Sequence, residues 1–292
     1  MGKKILVTGG YGQLGHCIHD LATEEDDITY FSHDELDITN KNDVYRKIIE
    51  YRPDVVVNCA AYVNIYEAER NIVGSYNVNC LGVMHLAQAC KTAGAKLIHI
   101  STDYVFDGEN NRPYKETDVC RPLNFYGVTK YLGELTSSEE NPETIVIRTS
   151  WLYSWYGNNF FTKVLSKLDK GANFGVVYDV IGCPTYAMDL ADFILHIIRT
   201  EKYKDMTGVY HYSNNGAVSR YDFAVEIEKL YRGKNELIQP CLSTSIVDTV
   251  NRPIYAVLDK TKVESILDGH LPNWTDALKR CMYQFSVEEK KQ

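Results

Sequence analysis

Apolar residues in the first half of the chain gather in short runs at 4–7, 28–31, 55–57, 96–100 and 145–148, and turn-forming or polar residues close each run. Between the runs the spacing changes. Segments 14–21, 43–51 and 75–93 repeat their apolar positions every three or four residues, as with Val44, Ile48 and Tyr51, and Pro53 and Gly94 stand just past two of them. Short continuous runs separated by segments of helical period predict strands joined by helical crossovers, and hence a parallel α/β sheet. Because the runs are continuous rather than alternating, helices are expected to cover both faces of that sheet. Beyond residue 150 the pattern loosens. Segment 151–159 is rich in aromatic residues and glycine, 214–216 is a turn, and helical periods return at 189–199, 221–230 and 274–282. No repeat, low-complexity tract or linker interrupts the chain, so the late segments predict a smaller lobe woven into the first.

Composition narrows the class. The 292 residues are 45% hydrophobic and 24% charged, ordinary values for a chain with a real core. The net charge is −8 and no Lys/Arg block occurs, which argues against nucleic-acid and anionic-membrane partners, since both rely on clustered cations. No apolar run approaches the ~18 residues of a membrane span. The N-terminal run Ile5-Leu6-Val7 stops at once in Thr8-Gly9-Gly10, which does not read as a signal peptide. The eight cysteines are scattered without a CxxC pair and read as reduced, buried thiols of a cytoplasmic protein. The eight histidines show no ligand spacing, His85 and His99 read as packed residues, and no metal site is expected.

The first run leads straight into Thr8-Gly9-Gly10-Tyr11-Gly12-Gln13-Leu14-Gly15. Glycines at 9, 12 and 15 between a strand and a helix suit a tight turn, a close backbone approach to a pyrophosphate, and close packing of helix on strand, while the helix N-terminus attracts the phosphates. This predicts dinucleotide binding. An NAD-binding strand usually ends in an acid that takes the ribose hydroxyls. Here Tyr30-Phe31-Ser32-His33 has no carboxylate before Asp34, a slight lean towards NADPH over NADH. Asp37 reads either as an adenine contact or as a helix-approach residue.

Two later segments carry reaction chemistry. The run at 96–100 ends in Ser101-Thr102-Asp103-Tyr104, which places hydroxyls at the carboxyl edge of the sheet, where ligands bind in such folds. Tyr126 and Lys130 stand four residues apart on one predicted helix face. An ammonium beside a phenol lowers its pKa from about 10, so the phenol exchanges a proton with a ketone or alcohol near neutral pH. Ser101 or Thr102 is placed to hold the same oxygen.

These are marks of a short-chain dehydrogenase/reductase. The run from Ser101 to Gly108, then Pro113-Tyr114-Lys115-Glu116, Tyr126-Gly127-Val128-Thr129-Lys130 and Gly133-Glu134, closely resembles the dTDP-4-dehydrorhamnose reductase family. Further matches are Glu35-Leu36-Asp37-Ile38-Thr39, Asn58-Cys59-Ala60-Ala61-Tyr62, Arg148-Thr149-Ser150-Trp151, Gly182-Cys183-Pro184-Thr185 and Arg252-Pro253. The resemblance implies a Rossmann-type doubly wound sheet. Residues 1–150 would bind NAD(P), with 176–212 returning to them, and 151–175 and 213–292 would form the substrate-binding lobe. It implies reduction of the C4 ketone of dTDP-4-dehydro-6-deoxy-L-hexose to dTDP-L-rhamnose. Tyr126 would be the proton donor, Lys130 would tune it and hold the nicotinamide ribose, and Thr102 would polarise the ketone. For the cofactor it implies the backbone of Gly9, Tyr11, Gly12, Gln13, Leu14 and Gly15, the strand end Ser32-His33, Asp37, Ile38, Ala60, Ala61 and Tyr62. Asn79 would fix the lysine through water. Asp103, Tyr104 and Trp151 would face the sugar nucleotide.

Four departures from the family's pattern bear on the substrate. Val63 and Tyr66 stand for a threonine and an aspartate, Val180 for a glutamine, Tyr255-Ala256 for a polar pair, and His33-Asp34 where an arginine is usual. Losing a polar contact to a substrate hydroxyl shifts specificity by orders of magnitude. A reductase of a different nucleotide-linked 4-ketosugar is therefore the second reading. A non-catalytic dinucleotide-binding subunit, resembling the regulatory subunit of methionine adenosyltransferase, is the third. Some family members bind Mg²⁺ through a C-terminal acid near a dimer contact, which Gln284 and the tail 288–291 do not reproduce; a homodimer is left open.

Overall fold

The computed structural model describes residues 2–246, 249–267 and 269–289. The apolar runs and amphipathic segments become β1 (Lys4–Thr8), α1 (Gln13–Leu21), β2 (Asp27–Phe31), α2 (Lys41–Tyr51) and β3 (Val55–Asn58). Next come α3 (Ile65–Arg70), α4 (Ile72–Tyr76), α5 (Val83–Ala93), β4 (Lys96–Thr102), α6 (Phe125–Glu140) and β5 (Ile145–Thr149). The later chain supplies β6 (Leu152–Tyr153), α7 (Phe160–Asp169), β7 (Phe174–Val177), β8 (Ile181–Gly182), β9 (Thr185–Tyr186), α8 (Ala187–Arg199) and β10 (Gly208–His211). It closes with β11 (Val218–Ser219), α9 (Arg220–Arg232), β12 (Ile238–Cys241), α10 (Thr261–Glu264) and α11 (Trp274–Glu289).

Six strands form one sheet in the order β10-β5-β4-β3-β1-β2, with every neighbouring pair parallel. Alternation within the strands explains why their runs are apolar throughout. Ile5, Val7, Val55, Val57, Ile98, Ile145 and Ile147 pack beneath α1 and α8, whereas Leu6, Val56 and Leu97 pack beneath α2 and α5. Each such side chain, fully buried, contributes about 1.5–3 kcal/mol. The sheet is a Rossmann-type doubly wound one. The chain runs from β2 to the opposite side of β1, so a switch point opens a crevice at the carboxyl ends of β1 and β3.

A second apolar cluster joins α7, α9 and α11 through Phe161, Leu165, Phe223, Ile227 and Leu278. β7 belongs to it, because β7 pairs with β12. The chain therefore returns to the large sheet with α8 and β10, later than residue 176. The helix α7 was not anticipated, although Phe161, Val164, Leu165 and Leu168 share its buried face and an Asn159–Thr162 capping box starts it. Nor is 75–93 one regular helix. It starts earlier, at Ile72, capped by Asn71, and passes through a wider π turn over Asn77–Gly82 before α5. Such turns break the regular helical ladder and cluster at functional sites. No helix among the described residues is long and apolar enough to cross a membrane.

Candidate active site

The turn after β1 has the geometry of an anion cradle. Gly9 adopts a φ of +62°, and a Cβ there would lie 2.7 Å from the Ala60 amide nitrogen. Only glycine permits both the left-handed backbone and that approach. Gly12 is the N-cap of α1 and no side chain caps the helix, which leaves its first amides open to an anion. A cavity of about 440 Å³ spans the switch point, lined by Gly9, Tyr11, Gly12, Ser32, His33, Asp37, Ile38, Ala60, Ala61 and Tyr62 among others. Gln13, Leu14 and Gly15 supply those open amides and do not otherwise line the cavity. Gln13 Oε1 accepts from Asn159 Nδ2 at 2.7 Å, Leu14 is core, and a Cβ on Gly15 would collide with the Gly10 backbone. Asp37 Oδ1 accepts from the Thr39 backbone and hydroxyl, each at 2.9 Å. The Glu35 carboxylate is folded back onto Ser32, accepting from its amide and hydroxyl at 2.8 Å, and these bonds hold it below the usual carboxylate range. A cleft of this size, with a glycine cradle at an open helix terminus, fits a dinucleotide.

Beside this cleft, β4 delivers Thr102 and α6 delivers Tyr126 and Lys130. Asn124 caps α6, accepting from Gly127 N at 2.9 Å, and its amide donates to the Asn251 carbonyl. Gly127 lets the helix start press against the end of β4, since a Cβ there would lie 2.3 Å from the Tyr104 carbonyl oxygen. Thr102 and Tyr126 are brought together: the threonine hydroxyl lies by the phenol and favours its charged form, while it donates to Asp103 Oδ1 at 3.1 Å. Burial nevertheless pushes the phenol up, with smaller contributions from Asp103 and Tyr104. This corrects the expectation of a phenol lowered by its lysine. Lys130 Nζ donates instead to the Ile100 carbonyl at 2.6 Å and stands 3.5 Å from His99 Nε2. Burial lowers the lysine to about 8, opposed by Glu134.

One further expectation changes. Ser101 is not available to a ketone, because its hydroxyl donates to Glu134 Oε1 at 2.5 Å. Asn79 makes no direct bond to Lys130. Its Oδ1 accepts from Tyr62 N at 2.8 Å, and its amide donates to the Tyr62 carbonyl and to Thr129 Oγ1, each at 3.1 Å. It pins the cleft wall to α6 from within the π turn.

On the side of the second lobe, Asp103 is 2% exposed and its Oδ2 has no hydrogen-bond partner among the described residues. Burial raises it to about 7, against the pull of Arg220 and the Thr102 hydroxyl. Tyr104 packs edge-on against Tyr126, with ring centroids 5.6 Å apart. Trp151, at φ +47°, carries the Arg220 guanidinium 3.6 Å over its ring, and Phe160 flanks the same cation. Arg252 donates to Tyr104 OH at 3.3 Å and to Tyr66 OH at 2.8 Å. Tyr66 thus tethers α3 to the loop of Arg252, and Val63 beside it is 69% exposed. Tyr255 and Ala256 lie in packing instead, Ala256 being 1% exposed with its amide bonded to Ile181. No group of three or more His, Cys, Asp or Glu among the described residues is placed to hold a metal ion. The end of the tail at 290–291 lies outside the described residues.

Residues 3–287 match the family described as the RmlD substrate binding domain. A dTDP-4-dehydrorhamnose reductase of Aggregatibacter actinomycetemcomitans is 37% identical over 94% of this chain and 97% of its own. The chain belongs to the dTDP-4-dehydrorhamnose reductase family. A dTDP-4-keto-6-deoxy-D-glucose reductase of Streptomyces niveus is 34% identical over 99% of this chain and 100% of its own. The crystal structure of dTDP-4-dehydrorhamnose reductase from Bacillus anthracis in complex with NADP superimposes with a TM-score of 0.92 at 34% identity, covering 97% of this chain and 100% of that one.

Within this member of the reductase family, sequence reasoning passed over three side chains that the structure places at the site. Arg220 opens α9, where a cation opposes the positive end of the helix dipole, and that local conflict was the available signal. His99 was read as mere packing, yet it contacts both Lys130 and Asn58. Asn58 entered only as part of a matched motif. The signal for His99 was geometric. Alternate residues on a strand are about 6.6 Å apart, close to the about 6 Å between helix residues four apart, so His99 and Ser101 face Lys130 and Glu134 in register.

Proposed function

We propose that this protein uses a reduced nicotinamide dinucleotide to reduce the C4 ketone of dTDP-4-dehydro-6-deoxy-L-hexose, giving dTDP-L-rhamnose. The observation that carries this reading is the placement of Thr102, at the carboxyl edge of β4, beside the buried Tyr126 phenol, one helical turn from Lys130. Gly9, Tyr11, Gly12, Ser32, His33, Asp37, Ile38 and the Ala60-Ala61-Tyr62 wall would hold the dinucleotide, with the α1 terminus at its phosphates. When bound, the dinucleotide supplies the hydride for the ketone carbon. The protein supplies the proton. Tyr126 keeps its proton through the neutral range because burial raises it, and gives it to the ketone oxygen as negative charge develops there. The Thr102 hydroxyl holds the same oxygen.

Asp103, Tyr104 and Trp151 form the sugar-facing side, and Arg220 and Arg252 place two cations beside Asp103 and Tyr104, as a nucleotide diphosphate requires. In this reading residues 1–150, with the returning α8 and β10, carry the dinucleotide, and the second lobe carries the sugar nucleotide. The lean to NADPH rests on His33 lining the cleft while the Glu35 carboxylate is folded away onto Ser32. Gly9→Ala is expected to weaken NADPH binding by about 5- to 150-fold, since the left-handed backbone alone costs on the order of 1–3 kcal/mol. Fluorescence titration with NADPH measures this.

Product analysis tests the substrate. Incubation with NADPH and dTDP-4-dehydro-6-deoxy-L-hexose should yield dTDP-L-rhamnose by proton NMR. The Tyr66–Arg252 tether favours one alternative, a different nucleotide-linked 4-ketosugar. Turnover confined to dTDP-4-keto-6-deoxy-D-glucose would establish that reading in place of the first.

A further inference from the structure

Lys130 is held by a buried chain of hydrogen bonds that starts on β1. Asn58 Oδ1 accepts twice, from the Thr8 hydroxyl at 2.6 Å and from the Ala60 amide at 3.2 Å. These two donors fix which end of the amide is which, so the Asn58 NH₂ group faces His99 Nδ1 at 3.0 Å. Nδ1 is therefore an acceptor. The His99 ring is 0% exposed, and burial together with the neighbouring ammonium keeps it neutral, its pKa held well below the ordinary value. A neutral imidazole with a bare Nδ1 carries its proton on Nε2. That N–H is directed at Lys130 Nζ, 3.5 Å away.

The consequence lies in what each form of the lysine can do. Either form donates to the Ile100 carbonyl at 2.6 Å. Only the neutral amine has a lone pair to accept from His99. The ammonium meets the positive end of an N–H dipole in a site of low dielectric. We propose that His99, its tautomer set by Asn58, is a positioning residue that keeps Lys130 ready to release its proton during turnover. This rests on the reductase reading above. Once Tyr126 has given its proton to the product oxygen, the site must recover one. A lysine that releases its proton readily supplies it through intervening water, since Lys130 Nζ bonds Ile100 and His99 and not the phenol, and solvent then restores the lysine.

The titratable groups facing Lys130 are His99 from β4, Cys59 from the end of β3, and Glu134 from its own helix. Glu134 raises the lysine and burial lowers it to about 8, so the charged form is present below that pH and lost above it. The alkaline limb of kcat/KM should accordingly fall near pH 8 in the native protein.

Two variants test the proposal. His99→Leu removes the N–H while keeping the site apolar. Asn58→Asp offers a carboxylate to Nδ1–H, which turns the bare Nε2 towards the lysine. In both, the alkaline limb is expected to move up by about one pH unit or more, with Lys130 releasing its proton correspondingly later. Carbon-13 NMR titration of the lysine side chains, without ketosugar, reads the same shift directly. It remains informative if the native protein fails to reduce the ketosugar, an outcome that overturns the reductase reading instead. A purely structural role for His99 would lower rates at every pH with the limb unmoved. An unmoved limb and an unmoved lysine titration in a folded Asn58→Asp protein would overturn the proposal, and they decide the matter if His99→Leu does not fold.

Discussion

Tyr126→Phe is expected to lower kcat on the ketosugar by about 10²–10⁴, the range that a positioned proton donor contributes. The ring would keep its edge-on packing against Tyr104, and the cleft residues from Gly9 to Tyr62 are untouched. NADPH should therefore still bind, as fluorescence titration would show. The loss separates the proton-donor role from a merely packed aromatic residue. The variant lacks only the hydroxyl, so near-native turnover would place the proton source elsewhere.

Glu134→Ala is expected to have the largest effect on stability. Glu134 and Arg148 are an almost fully buried pair, with guanidinium nitrogens 2.7 and 2.9 Å from the two carboxylate oxygens, and the Ser101 hydroxyl donates to the same carboxylate. Removing the carboxylate leaves a buried, unpaired cation beside Phe106 and His211. Breaking such a pair costs about 3–5 kcal/mol. Urea denaturation followed by circular dichroism would measure it. Gln in the same place keeps the shape and one acceptor and should cost less. A stability unchanged by Glu134→Ala would mean that the pair does not hold α6 onto β4 and β5.

Much of this was legible in the residues themselves. The strands of the sheet follow from continuous apolar runs, because helices lie on both faces and the inner strands β1, β3, β4 and β5 are buried almost throughout. The cleft follows from the glycine spacing, and the Tyr126/Lys130 pair from its four-residue step. What stayed hidden has a common cause. Ser101 carries a hydroxyl that suits a ligand, but it is engaged by Glu134, a residue distant in sequence. No local pattern reveals such partners. The direction of the Tyr126 shift was misread for the same reason, since the lysine four residues on bonds Ile100 and His99 instead of the phenol. The helix α7 was hidden by the aromatic and glycine-rich segment that precedes it. The π turn left no trace in a periodic pattern that fits an ordinary helix equally well.

The most direct test of the central claim is the oxidation of NADPH by the purified protein, with enzymatically generated dTDP-4-dehydro-6-deoxy-L-hexose as the only other reactant, followed by absorbance of the reduced dinucleotide. The account predicts steady turnover that requires the ketosugar, exceeds the rate with NADH, and is nearly lost in Tyr126→Phe. Bound NADPH with no ketosugar-dependent oxidation would contradict it.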